Sequence, residues 1–262
     1  MTSFLDLHVP GRPLLIPNPW DAGSARILAA LGFRALATTS SGMAATLGRF
    51  DGSVSREEAI ASAAAIVQAV EVPVSADLEN GFADDPAGVA ETVRLARAAG
   101  LAGCSIEDST GRPDDPIYDA ALAAERVAAA VDAAGDGFVI TARAENLLWG
   151  RDDLPDTIAR LQRFEAAGAH VLYAPGLGPA EQIRAVVEAV GRPVNVLARP
   201  GVPPVAELAE LGVARVSVGG AFAFAALGAL VEAGRELLDE GTYGYLARTK
   251  TGRAAIDTAF KR

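Results

Sequence analysis

Short apolar runs alternate along the chain with longer stretches in which apolar residues recur every three or four positions. The short runs predict strands over residues 14–18, 34–40, 73–79, 102–108, 138–145, 170–174, 193–198 and 214–218. The longer stretches predict helices over 22–31, 56–70, 86–99, 119–134, 153–167, 179–190, 203–211 and 221–238. Local punctuation supports these limits. Asp21 suits an N-cap, Ser55 and Glu58 have capping-box spacing, and Pro86 suits a first helical position. Gly32, Gly100 and Gly168 stand where helices should stop. A further helix is predicted over 245–259.

Strands that are nearly all apolar, each followed by a helix, imply a parallel sheet covered by helices. Eight such units in a chain of 262 residues fit a closed (β/α)₈ barrel of the TIM type. An open doubly wound sheet is the alternative, but no strand leads into a GxGxxG turn. The chain reads as one domain over 1–262, with about 240–262 as a helical extension that could pack on a neighbouring subunit.

Half of the residues are hydrophobic, which allows a large core, and the net charge is −10 without any basic block. That balance argues against nucleic-acid and anionic-membrane partners but not against a small anionic substrate. The single cysteine, Cys104, can form no internal disulfide, which fits a reducing cytoplasm. No secretory leader or bilayer-length apolar run is visible, so a cytoplasmic location is expected.

In a barrel of this kind function collects at the C-terminal ends of the strands. Those ends carry Asn18, then Ser40, Ser41 and Gly42 with Asp51 in the loop beyond, then Asp77 and Glu79. Glu107 and Asp108, Arg143 and Glu145, and Tyr173 follow, with Asn195 inside the seventh strand. Alternation puts Ser75, Asp77 and Glu79 on one face. Two carboxylates at the end of an apolar strand require a cation nearby. Asp77, Glu79 and Glu107, from adjacent strands, could cage Mg²⁺ with waters completing an octahedron; an ion-paired rim without metal is the alternative. The fork of Arg143 suits a substrate carboxylate, or else pairs with Glu145 or Glu107. Ser41-Gly42 reads as a turn whose N–H groups could face an oxyanion. His8 and His170 lie away from these ends, and Cys104 sits inside a strand as a packed thiol. A Ser-His-acid triad and a zinc site are therefore not expected.

Residues 17–26, Thr39-Ser40-Ser41-Gly42, Asp77-Leu78-Glu79-Asn80-Gly81, Ile106-Glu107-Asp108, Ala142-Arg143, 193–196 and 214–219, in this order, resemble the isocitrate lyase/phosphoenolpyruvate mutase superfamily. The likeness spans nearly the whole chain and suggests a phosphonomutase or 2-methylisocitrate lyase-like member. It implies a barrel that needs Mg²⁺, with Mn²⁺ as an alternative, and acts on α-oxycarboxylates. By resemblance Asp77 holds the metal directly, and Glu79, Glu107 and Asp51 hold it directly or through water. The Ser41 hydroxyl and the N–H groups of Gly42 and Met43 would bind a pyruvate-like unit, with Asn195 in the same substrate-binding set. Arg143 would hold a carboxylate or the departing group, and Arg143, Glu107 and Ser41 form the implied catalytic set. A homotetramer or homodimer is implied, with C-terminal helices exchanged between subunits.

The loop 109–115 departs from the pattern. It lacks the Cys and His of isocitrate and methylisocitrate lyases and the Lys and Asn of the phosphonopyruvate enzymes, though Arg112 could reach a phosphonate. The histidine that some oxaloacetate decarboxylases carry near the end of strand eight is replaced by Gly219-Gly220-Ala221. The expected activity is Mg²⁺-dependent cleavage of a carbon–carbon bond in a small 2-hydroxy or 2-oxo acid through an enolate. The alternatives are carbon–phosphorus chemistry on phosphonopyruvate, oxaloacetate decarboxylation or hydrolysis, and a barrel that binds a keto acid without turnover.

Overall fold

The computed structural model describes residues 3–261. Its strands are β1 (Leu14–Ile16), β2 (Leu36–Ala37), β3 (Val74–Asp77), β4 (Gly103–Glu107), β5 (Val139–Arg143), β6 (Val171–Tyr173), β7 (Val194–Leu197) and β8 (Arg215–Ser217). Its helices are α1 (Ala22–Ala30), α2 (Ser40–Thr46), α3 (Arg56–Ala69), α4 (Pro86–Ala98), α5 (Ala120–Ala134), α6 (Leu154–Ala166), α7 (Ala180–Ala189), α8 (Val205–Glu210), α9 (Ala221–Arg235) and α10 (Leu246–Ala259). From β2 to β8 each strand pairs in parallel with the next, and β8 pairs with β1. Between β1 and β2 the circle is joined without a ladder. The Ala37 N–H donates to the Pro17 carbonyl at 3.1 Å, and the Asn18 side-chain amide donates to the Thr38 carbonyl at 2.9 Å. The fold is the expected (β/α)₈ barrel with an extra C-terminal helix.

The strand periodicity sorts residues onto two faces. Ala76, Ile106, Ile140, Ala142, Leu172, Val194 and Val196 are buried among apolar side chains that include Val93, Phe164 and Ile183 of the surrounding helices. Each large side chain buried there contributes about 1.5–3 kcal/mol. The alternate positions face the barrel interior. Its floor is apolar: Leu14, Ile16, Ala37, Val139 and Val171 pack with Phe4 and Leu7 of the N-terminal segment. Above that floor the inward positions are polar, and that change is what builds the site.

Two expected elements differ. The second strand ends at Ala37, not residue 40, because the Thr39 side chain caps a helix and accepts the Gly42 N–H at 3.3 Å. Ser40, Ser41 and Gly42 are thus the first turn of α2, not a loop turn. The third strand ends at Asp77, and Glu79 has the left-handed φ of 49°. The chain therefore turns before Glu79, which leaves strand alternation with Asp77.

α10 folds back on α1 of its own chain, with the Arg26 guanidinium 5.9 Å from the Phe260 ring centre. The helix expected to reach a neighbouring subunit thus has a contact at home. Among the described residues no helix is long and apolar enough to cross a membrane.

Candidate active site

Asp77, at the end of β3, is the best-anchored carboxylate of the mouth. Its N–H donates to Thr38 Oγ1 at 2.9 Å. Its Oδ2 accepts from the Ser40 N–H and hydroxyl at 3.3 and 3.1 Å, and its Oδ1 accepts from Ser105 Oγ at 3.3 Å. These donors fix one carboxylate geometry at the meeting point of β2, β3 and β4.

Arg143, at the end of β5, spends its whole fork on acids. Nη1 reaches Asp77 at 2.9 Å, Nη2 reaches Glu107 at 3.1 Å, and Nε reaches Glu145 at 2.8 Å. The guanidinium carbon lies 5.3 Å from the Tyr173 ring centre. Burial alone would lower the pKa of Arg143, but Glu145, Glu107 and Asp77 outweigh that and hold it well above its ordinary value. Burial likewise pushes Glu107 well up and Glu145 up, against the pull of Arg143. The pairing expected with Glu145 or Glu107 is present with both, and Asp77 is added.

Asp51 and Glu79 stand on the other side of Asp77. Burial raises the pKa of Asp51, and the charge of Asp77 adds to it. Burial, then Asp77 and Asp51, push Glu79 up to about 7. This side of the mouth carries carboxylates that repel one another, with Arg143 as a more distant counter-charge. Hard oxygen donors in excess of local cations are the donor set of a divalent cation that keeps several waters and takes one or two carboxylates. The residues fit Mg²⁺ in that water-rich form. They do not form the expected compact cage: among the described residues no group of three such ligands converges, and Glu107 is drawn toward Arg143.

The remaining expected residues divide. Ser41 Oγ lies 3.2 Å from Thr39 Oγ1 and lines a cavity of ≈ 140 Å³ with Asp77, Arg143 and Tyr173. The Gly42 N–H is taken by Thr39 Oγ1, and the Met43 N–H donates to the Thr39 carbonyl at 3.0 Å. Both amides serve the helix start rather than an open oxyanion site. Asn195 is fully buried and donates to Ser217 Oγ at 3.0 Å, behind the wall of the cavity. Asn18 ties the mouth together, accepting from the Val218 and Gly219 N–H groups at 2.9 Å. Arg112 is exposed and pairs with Asp84 at 3.0 Å, away from the cavity. Asp108 pairs with Arg160 at 3.1 Å and accepts the Glu145 N–H at 2.8 Å, so it supports the mouth from behind.

Three participants escape a reading of strand ends alone: Thr38, Ser105 and Arg215. Ser105 and Arg215 lie inside strands, at positions that alternate with buried apolar residues. Polar residues spaced by two, as in Ser75/Asp77, Ser105/Glu107, Thr141/Arg143 and Arg215/Ser217, are the signal that points to Ser105 and Arg215.

An acid-rich mouth centred on one arginine, at the C-terminal end of the strands, defines a (β/α)₈-barrel enzyme. The chain belongs to the phosphoenolpyruvate phosphomutase family, whose model matches residues 4–238, and so to the isocitrate lyase/phosphoenolpyruvate mutase superfamily. A solved structure from Burkholderia cenocepacia J2315, provisionally assigned as a lyase/mutase, superposes with a TM-score of 0.90. It is 55% identical and covers 93% of this chain and 89% of its own. An uncharacterized protein of Mycobacterium tuberculosis H37Rv is 36% identical over 90% of this chain and 89% of its own length. The 2-methylisocitrate lyase of Escherichia coli K12 is 29% identical over 97% of this chain and 90% of its own.

Proposed function

We propose that this protein is a Mg²⁺-dependent lyase that cleaves a carbon–carbon bond in a small 2-hydroxy or 2-oxo carboxylic acid, leaving an enolate as the first product. The observation that carries this reading is the excess of acids at the mouth, where Asp51 and Glu79 stand near Asp77 and only Arg143 offsets them, beside a cavity of ≈ 140 Å³. That volume suits an acid of a few carbons and is below the size of ordinary drug-like sites.

Asp77 would hold the metal directly, with Asp51 and Glu79 holding it directly or through water. When bound, the cation supplies Lewis-acid stabilisation of the enolate charge. The chain's own residues do the rest. Ser40, Ser105 and Thr38 fix the Asp77 carboxylate. Arg143 holds the carboxylates of Asp77, Glu107 and Glu145 in place. Ser41 offers a hydroxyl to the acid's oxygens, and Tyr173, whose pKa burial pushes up to about 12, holds its proton at Oη on the cavity wall. Fixed charges and donors of this kind reduce the barrier by several kcal/mol with little reorganisation. The loop carrying Leu148 and Trp149 lines the outer mouth, and the Trp149 indole N–H ties it down by donating to Ser109 Oγ at 3.3 Å.

We also read the protein as a cytoplasmic homodimer or homotetramer. Support comes from α9, which buries only Ala223 and exposes Phe224, Leu230 and Val231.

The direct test is Asp77→Ala. Turnover is expected to vanish while circular dichroism keeps its folded spectrum. Full activity in this variant would sink the metal assignment.

A further inference from the structure

We propose that Tyr173 is the acid of the reaction: its Oη gives a proton to the enolate carbon left when the carbon–carbon bond breaks. The inference rests on the lyase reading above and deepens it. Tyr173 ends β6, across the barrel from β2, and lines the ≈ 140 Å³ cavity together with Ser41 and Asp77. An acid held at Asp77 and Ser41 therefore turns its far side to the phenol.

No other group on the cavity wall suits this task. Asp51 and Asp77 are committed to the cation, and the guanidinium groups of Arg143 and Arg215 do not release a proton. The serine and threonine hydroxyls are far weaker acids than a phenol. Cys104 is sealed in the apolar shell, and the loop 109–115 holds neither cysteine nor histidine. His8 packs on Phe4 at the barrel floor, and His170 Nδ1 meets the Ile140 N–H at the far end of the strands.

The phenol is oriented from behind. Asn195 of β7, fully buried, donates to Ser217 Oγ of β8 at 3.0 Å, and Ser217 is the hydrogen-bonding neighbour of Tyr173. A hydroxyl that accepts from an amide still has its own hydrogen to give. Ser217 thus donates to Tyr173 Oη and leaves the phenolic hydrogen to the cavity. The tyrosinate formed by transfer is met by two cations. The Arg143 guanidinium carbon lies 5.3 Å from the ring centre, and the charges of Arg215 and Tyr173 act on each other. Arg143 is shared among three carboxylates, whereas Arg215 donates to one neutral partner, Thr141 Oγ1, at 3.0 Å. Burial, with Glu145 and Asp77, keeps the proton on Oη until a carbanion takes it. In the step the carbon–carbon bond breaks with its electron pair on the enolate carbon. The Oη–H bond then breaks as the C–H bond forms. Water returns a proton to Oη and takes the one that a 2-hydroxyl gives up.

Tyr173→Phe tests this, because it keeps the ring on Arg143 and removes only the hydroxyl. The probe is pyruvate with Mg²⁺ in D₂O. Run backwards, the proton transfer exchanges the methyl hydrogens of pyruvate for deuterium, which proton NMR follows; calorimetry measures pyruvate binding on the same full chain. Wild type is expected to exchange. Tyr173→Phe should bind pyruvate as wild type does and exchange it about a hundredfold or more slowly. Wild type without exchange, Tyr173→Phe exchanging at the wild-type rate, or Tyr173→Phe losing binding together with exchange overturns the inference. If Tyr173→Phe does not fold, Ser217→Ala decides: slowed exchange with binding kept supports the proton donor, and any other result overturns it. The exchange needs no bond cleavage. Tyr173-dependent exchange with no product from any acid would contradict the lyase reading alone, and product release with Tyr173-independent exchange would contradict this inference alone.

Discussion

At the residue scale the mouth is a contest between carboxylates and too few cations. Arg143 settles one side of it, so its loss should be felt in stability as well as in activity. Arg143→Met would leave Asp77, Glu107 and Glu145 buried without their partner, at a cost of about 3–5 kcal/mol, readable as a lower urea midpoint. On the other side Glu79 titrates at about 7 in the fold against an ordinary 4.5. Between those values the folded protein keeps a proton that the unfolded chain has released. Stability should therefore fall as pH rises from 4.5 through 7. In chelator, Glu79→Gln is expected to flatten this decline and to melt higher than wild type above pH 7; parallel melting curves would contradict it. Asp77 and Arg143 were legible in the sequence because a charge at the end of an apolar run stands out. Arg215 and Ser105 were harder to read, because the two-residue spacing that links them to Ser217 and Glu107 gains meaning only once the barrel defines an interior.

At the scale of the element, the helix limits were easier to read than the strand limits. The Ser55 capping box is present in both directions, Ser55 Oγ accepting the Glu58 N–H at 3.2 Å and Glu58 accepting the Ser55 N–H at 2.9 Å. α2 was hidden because its first residues, Ser40-Ser41-Gly42, carry turn-like composition, and only the Thr39 cap makes them helical. That element now explains Gly42. A Cβ there would lie 2.6 Å from Thr39 Cγ2, 3.1 Å from Trp20 Cβ and 3.2 Å from Ala223 Cβ. Gly42→Ala should cost about 1–3 kcal/mol by overpacking and should displace Ser41, raising KM. The left-handed Glu79 was likewise invisible, since nothing in an apolar run announces where alternation stops.

At the scale of the whole molecule, the barrel separates stability from chemistry. Apolar side chains fill the floor and the shell beneath the helices, while polar side chains fill the upper interior. Eight repeats made the architecture legible early; the unequal sharing of charge between Arg143 and Arg215 required the strands to be set around one axis. The exposed apolar face of α9 belongs to this scale too. Light scattering is expected to give a dimer or tetramer mass, and Leu230→Glu, at a site 68% exposed, should lower that mass without unfolding the barrel. The central claim, metal-dependent bond cleavage, is tested most directly by following pyruvate or glyoxylate release. The panel is oxaloacetate, phosphonopyruvate, isocitrate, methylisocitrate and 2-methylmalate-type acids, each with Mg²⁺ and then with chelator. Expected is product from a carbon–carbon substrate that stops with chelator and returns when Mg²⁺ is restored. Product that is indifferent to chelator, or release from phosphonopyruvate alone, would contradict it.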